Sequence, residues 1–75
     1  MKEEKIPLYF SEKTQCFEAD EISFSDKKNG YKPLGKCGWS DIARFVIFAF
    51  RKYRNTRVDF AVIASEFDFY ITHKI

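Results

Sequence analysis

Cysteine, proline, glycine and histidine are all scarce in this chain: two, two, three and one among 75 residues. Two cysteines, Cys16 and Cys37, are too few for a disulfide scaffold and lack the paired spacing of a zinc site. They read as the thiols of a cytoplasmic protein, with one long-range disulfide as the alternative. The single histidine, His73, lies far along the chain from both cysteines, which argues against a metal centre and against a Cys–His nucleophile. No long apolar run is present either. The longest, residues 45–50, is far too short to cross a bilayer, and residues 1–5 lead into no apolar signal segment, so no membrane association is expected. No repeat, linker or low-complexity stretch interrupts the chain, which is expected to form one domain over residues 1–75.

A domain this small needs reinforcement beyond an ordinary aliphatic core. Here the reinforcement is aromatic: nine Phe, four Tyr and one Trp. Each can bury more area than an aliphatic side chain. The formal net charge of +2 hides a strong asymmetry. Residues 31–57 hold seven basic side chains and one acidic, a net of +6, while the segments on either side are each net negative. Such a concentrated positive field points to an acidic partner, whether a larger protein with an acidic surface or a nucleic acid.

Residues 40–55 carry both the densest apolar surface and the densest positive charge. Ile42, Phe45, Val46, Ala49, Phe50 and Tyr53 follow the spacing of one buried helical face. Ser40 is a suitable N-cap, Asp41 suits the N-terminal end of the helix dipole, and Arg51, Lys52 and Arg54 suit the other end. Ile6, Leu8 and Phe10 alternate with polar or turn-forming residues and predict a first strand, which Pro7 pushes towards a sheet edge. Residues 11–14 are polar enough to turn the chain, residues 15–19 predict a second strand, and residues 22–25 a third or a continuation. Asn29-Gly30 predicts a tight turn, and residues 31–39, with Pro33, Gly35 and Gly38, predict an irregular loop. After residue 56 the period changes to two. Val58, Phe60, Val62 and Ala64, then Phe67, Phe69, Ile71 and His73, predict a C-terminal hairpin reversing near Ser65-Glu66. The expected fold is therefore α+β: a small antiparallel sheet of N-terminal strands plus this hairpin, packed against one amphipathic helix.

Residues 30–37 approach the phosphate-loop pattern G-x-x-x-x-G-K-[ST], but Cys37 stands where a magnesium-binding hydroxyl is needed and no apolar strand precedes the loop. Residues 34–42, through Gly35, Lys36 and Gly38, resemble the G-x-x-G loop of KH domains, whose loop clamps a nucleic-acid backbone. The resemblance covers nine residues and part of the next helix. It lacks a preceding helix and places the next apolar residue one position late. What it implies is an anion-binding loop before a helix N-terminus.

The outer helix face is more informative. Arg44, Phe48, Arg51, Lys52 and Asn55 form a stripe in which Phe48 is the one large apolar group. Either Phe48 fits under the N-terminal strands with the arginines folded around it, or it is an exposed aromatic ringed by cations. The second arrangement suits an anchor for a protein partner or a stacking platform for an unpaired base. Glu18, Asp20 and Glu21 read as a solvated acidic turn. No pair of groups is placed for acid–base or nucleophilic work, and nothing calls for a cofactor or metal, so no enzymatic activity is expected. The function expected is that of a small binding protein acting as an inhibitor or accessory regulator of a larger protein, by analogy with small phage or mobile-element regulators. The alternative is a single-stranded nucleic-acid-binding domain. In both, the candidate binding residues are Lys32, Lys36, Arg44, Phe48, Arg51, Lys52 and Arg54. A homodimer through a free strand edge is a further expectation.

Overall fold

The computed structural model of the chain describes residues 4–20 and 30–73. The fold class is α+β, as expected, but the allocation of elements differs. Among the described residues three strands, β1 (Ile6–Ser11), β2 (Cys16–Ala19) and β3 (Lys32–Cys37), are followed by two helices, α1 (Trp39–Lys52) and α2 (Phe60–His73). The sheet is antiparallel with order β2-β1-β3. The strand expected at residues 22–25, and Asn29 of the expected turn, lie outside the described residues.

Strand β1 is central rather than an edge. Pro7 is nonetheless tolerated, because β2 pairs with β1 only from Leu8 onwards. At Pro7 the strand neighbour among the described residues is β3, through Lys36. A missing N–H costs little where one side of the strand carries no ladder. Residues 32–37, expected as loop, form β3 instead. An edge strand accommodates Pro33, and a register irregularity between Leu8 and Tyr9 absorbs Leu34 as an extra residue. Gly35 and Lys36 are therefore strand residues, and the KH-like loop does not form.

The alternation Ile6, Leu8, Phe10 puts three buried side chains on one sheet face. Phe17, Ala19 and Cys37 join them by register. Both helices contribute to this core, α1 through Ile42, Phe45 and Ala49, and α2 through Ile63 and Phe67. Phe45, with 0% exposure, stands at the centre. Its ring meets Phe17 edge-on at 5.9 Å, Phe67 edge-on at 5.2 Å and Tyr70 at 5.6 Å.

The C-terminal hairpin is the main correction. Residues 60–73 are one helix. Apolar residues occupy so many of these positions that alternate residues and i, i+4 pairs both form apolar sets. The helical set Ile63, Phe67, Ile71 with Phe60 and Tyr70 is the one that packs. Two local features decide against a hairpin. Ser65-Glu66 supplies no positive-φ turn residue, and Asp59 caps the helix, its Oδ1 accepting the Val62 N–H at 3.0 Å. His73 consequently lies not on an inward strand face but exposed in the last helical turn, stacked on Phe69 at 4.1 Å.

Helix α1 begins one residue before Ser40. Gly38 takes the N-cap position in extended conformation, without a side-chain cap bond, and Tyr53 is the C-cap. Phe50, expected on the buried face, is 67% exposed.

A clasp joins the β1–β2 turn to the connection between the helices. Gln15 takes a left-handed φ of 57°. Its Oε1 accepts the Val58 N–H at 3.1 Å, while Nε2 donates to the Val58 carbonyl at 2.8 Å and to that of Glu12 at 2.9 Å. The Arg57 guanidinium donates to the Glu12 carbonyl at 2.7 Å. The Glu12 carboxylate accepts the Phe60 N–H at the start of α2, where the helix dipole favours negative charge. Gln15→Ala leaves both polar groups of Val58 without these partners. A loss of about 1–3 kcal/mol is expected, read as a lower urea midpoint with an unchanged slope.

Candidate binding surface on helix α1

The amphipathic period of α1 turns Ile42, Phe45 and Ala49 to the core and leaves a broad outward face. That face is not polar. Trp39 is 55% exposed, Ile47 53% and Phe50 67%. With the exposed Ala43 they recur at helical spacing along one line, roughly 16 Å from first to last at 1.5 Å per residue. Arg44 precedes Ile47 by three residues and Arg51 follows it by four, so a guanidinium borders the line at both positions. Arg54 follows just beyond the helix end. No carboxylate pairs with Arg44, Arg51 or Arg54 among the described residues.

Phe48 is 39% exposed. It does not fit under the N-terminal strands. It sits at the seam between the helices, its ring stacked on Tyr70 at 6.3 Å and 6.2 Å from Phe45. Lys52 Nζ lies over it at 5.7 Å from the centroid. Arg44, Ile47, Phe48, Arg51 and Lys52 line one shallow depression.

Of the residues expected to bind a partner, then, Arg44, Phe48, Arg51 and Lys52 are brought together. Arg54 lines a second groove beside Phe50. Lys32 and Lys36 stand apart on β3. Lys32 reaches over the Phe60 ring at 5.4 Å, and Lys36 pairs with Pro7 on the sheet side away from the core. The sequence reading missed Trp39, Ile47 and, by turning it inward, Phe50. The signal for them was present in the spacing of Trp39, Ala43, Ile47 and Phe50, but it shares Phe50 with the expected core stripe.

Lys52 does not contribute a bare charge. Its ammonium donates to Glu66 Oε2 at 2.6 Å, and the Tyr53 hydroxyl donates to the same oxygen at 2.8 Å. Hydrogen bonds from Lys52 and then Tyr53 hold the Glu66 carboxyl below its ordinary pKa. The bond to Glu66 raises the Lys52 pKa, and burial, followed by the bond to Glu66, raises that of Tyr53. A depressed carboxylate stabilises the fold above its ordinary pKa, and that contribution is lost as pH falls through the folded value. Glu66→Gln should therefore lower the thermal midpoint at neutral pH, and the gap to the parent should close in acid. Paired melting curves at the two pH values check this.

Neither cysteine is in a disulfide: Cys16 is exposed, whereas Cys37 is buried opposite Ile6 and is not placed as an accessible nucleophile. Among the described residues no group of three or more His, Cys, Asp or Glu could hold a metal ion, and no helix is long and apolar enough to cross a membrane. Comparison with protein-family models, with curated proteins and with solved structures finds no significant match.

Proposed function

We propose that the chain is a small non-enzymatic binding protein that acts as an inhibitor or accessory regulator of a larger protein, docking the outward face of α1 on an acidic surface. The observation that carries this reading is the placement of exposed apolar groups. Trp39, Ile47, Phe48 and Phe50 lie on α1, interleaved with Arg44 and Arg51, whereas the other exposed large apolar groups among the described residues, Val62 and Phe69, lie on α2. A contiguous exposed apolar stripe of this kind marks an interaction face. Large aromatic groups beside arginine are also the composition of binding hot spots. Ile47 favours a protein partner, since an aliphatic group offers no stacking surface to a base.

The test uses exposed positions, where substitution leaves the fold within about 0.5 kcal/mol of the parent. Ile47→Ala and Arg44→Glu should each remove a stoichiometric, nuclease-resistant partner captured from cell lysate, with melting curves unchanged. Capture that survives both variants would overturn the reading.

The nucleic-acid reading rests on Phe48, stacked on Tyr70 under Lys52 and half open to solvent. It predicts a steep salt dependence, with the slope falling by roughly one unit for each phosphate-contacting arginine removed.

A further inference from the structure

The second groove lies between the C-terminal half of α1, the connection after it and the β1–β2 hairpin, and encloses about 380 Å³. Its floor is core: Phe10, Ala49 and Ile63 all reach it, and Phe17 and Val58 form its walls. Phe50, mostly exposed, lines the groove as well. No carboxylate lines the groove among the described residues. Of its two arginines, Arg57 is engaged by the carbonyls of Glu12 and Lys13, at 2.7 and 3.4 Å. Arg54 is not paired with a carboxylate among the described residues.

We infer that this groove is the anchor pocket for the partner: it takes one aromatic or branched aliphatic side chain from an acidic segment, whose neighbouring carboxylate pairs with Arg54. The inference rests on the docking function proposed above and names the chemistry of what docks. An apolar floor with a few polar groups at the rim is the usual form of a pocket that takes an apolar group and orients it. The volume suits a side chain rather than a whole helix. The charge selects the flanking residues, because a positive rim without a carboxylate rewards an acidic neighbour and penalises a basic one. A second copy docked through the same α1 face fits poorly, since it would bring its own Arg44, Arg51 and Arg54 towards the same rim.

The experiment uses the full chain, isotope-labelled, and three short synthetic peptides. One carries a single Phe between Asp and Glu residues, the second has Ala in place of that Phe, and the third keeps the Phe between Lys residues. The first peptide should shift the amide signals of Phe17, Ala49, Phe50 and Val58, and the other two should bind at least about tenfold more weakly. Phe50→Ala and Arg54→Glu, both at exposed positions, should each weaken the first peptide by a similar factor. Equal binding of the Lys-flanked peptide, or no binding of the first, would overturn the inference. Shifts centred on Trp39 and Ile47, untouched by Phe50→Ala, would overturn the groove as the anchor while leaving α1 as the docking face. Binding insensitive to every α1 variant would overturn both. Self-association that Phe50→Ala abolishes and the peptide cannot displace would overturn it in favour of a second copy.

Discussion

Phe45→Ala is expected to cost about 3–5 kcal/mol, enough to leave much of the population unfolded. A chain of this length has a total stability of roughly 4–11 kcal/mol. Phe45 is fully buried, and its ring is the one that links all three parts of the fold: β2 through Phe17, and α2 through Phe67 and Tyr70. Truncation removes those ring contacts and leaves a cavity that two helices and a sheet cannot all collapse into. The same substitution five residues along, Phe50→Ala, should stay within about 0.5 kcal/mol, because Phe50 is mostly exposed. Urea denaturation of the two variants side by side checks the prediction. Equal losses would mean that α1 is rotated, with Phe50 inward as the sequence spacing alone suggests.

That rotation shows where the sequence was legible and where it was not. The helix at residues 40–55 was readable because Ile42, Phe45 and Ala49 repeat at a helical period amid strong charge. Its facing was less so. Val46 and Phe50 extend the apolar stripe round the helix, and only the positions of β2 and α2 determine which part of so wide a stripe is covered. Strand β1 was readable from strict alternation, and the polar turn after it from residues 11–14. β3 was not, since Pro33, Gly35 and Gly38 are loop residues by local preference. Pairing with a central strand overrides that preference. The C-terminal helix was misread because its apolar residues satisfy both periods. The capping Asp59 was a local clue, but the second support, the Glu12 carboxylate, comes from far back in the chain. The clasp of Gln15 on Val58 has no sequence signature at all. Its parts are single polar residues in turns, and their meaning lies in a pairing across 43 positions. For the binding surface, charge was legible as a cluster along the chain, but β3 carries Lys32 and Lys36 away from α1.

Gly35→Ala is expected to destabilise by about 2–4 kcal/mol, through two separable causes. Gly35 has a φ of +155°, a conformation that residues with a side chain rarely adopt. A Cβ there would also stand 2.9 Å from Cε2 of Phe67, closer than any relaxed contact. The Phe67 ring cannot simply withdraw, because it is buried and packed edge-on against Phe45 at 5.2 Å. The missing side chain at Gly35 is thus what lets α2 approach β3, and it gives this glycine a packing role that its place in a presumed loop concealed. A double-mutant cycle with Phe67→Leu separates the two causes. A shorter side chain at position 67 should relieve the steric part, so Gly35→Ala should cost less in that background. What remains measures the backbone strain. A cost unchanged by Phe67→Leu would mean that conformation alone selects glycine. A negligible cost in either background would mean that α2 does not pack on β3 as described.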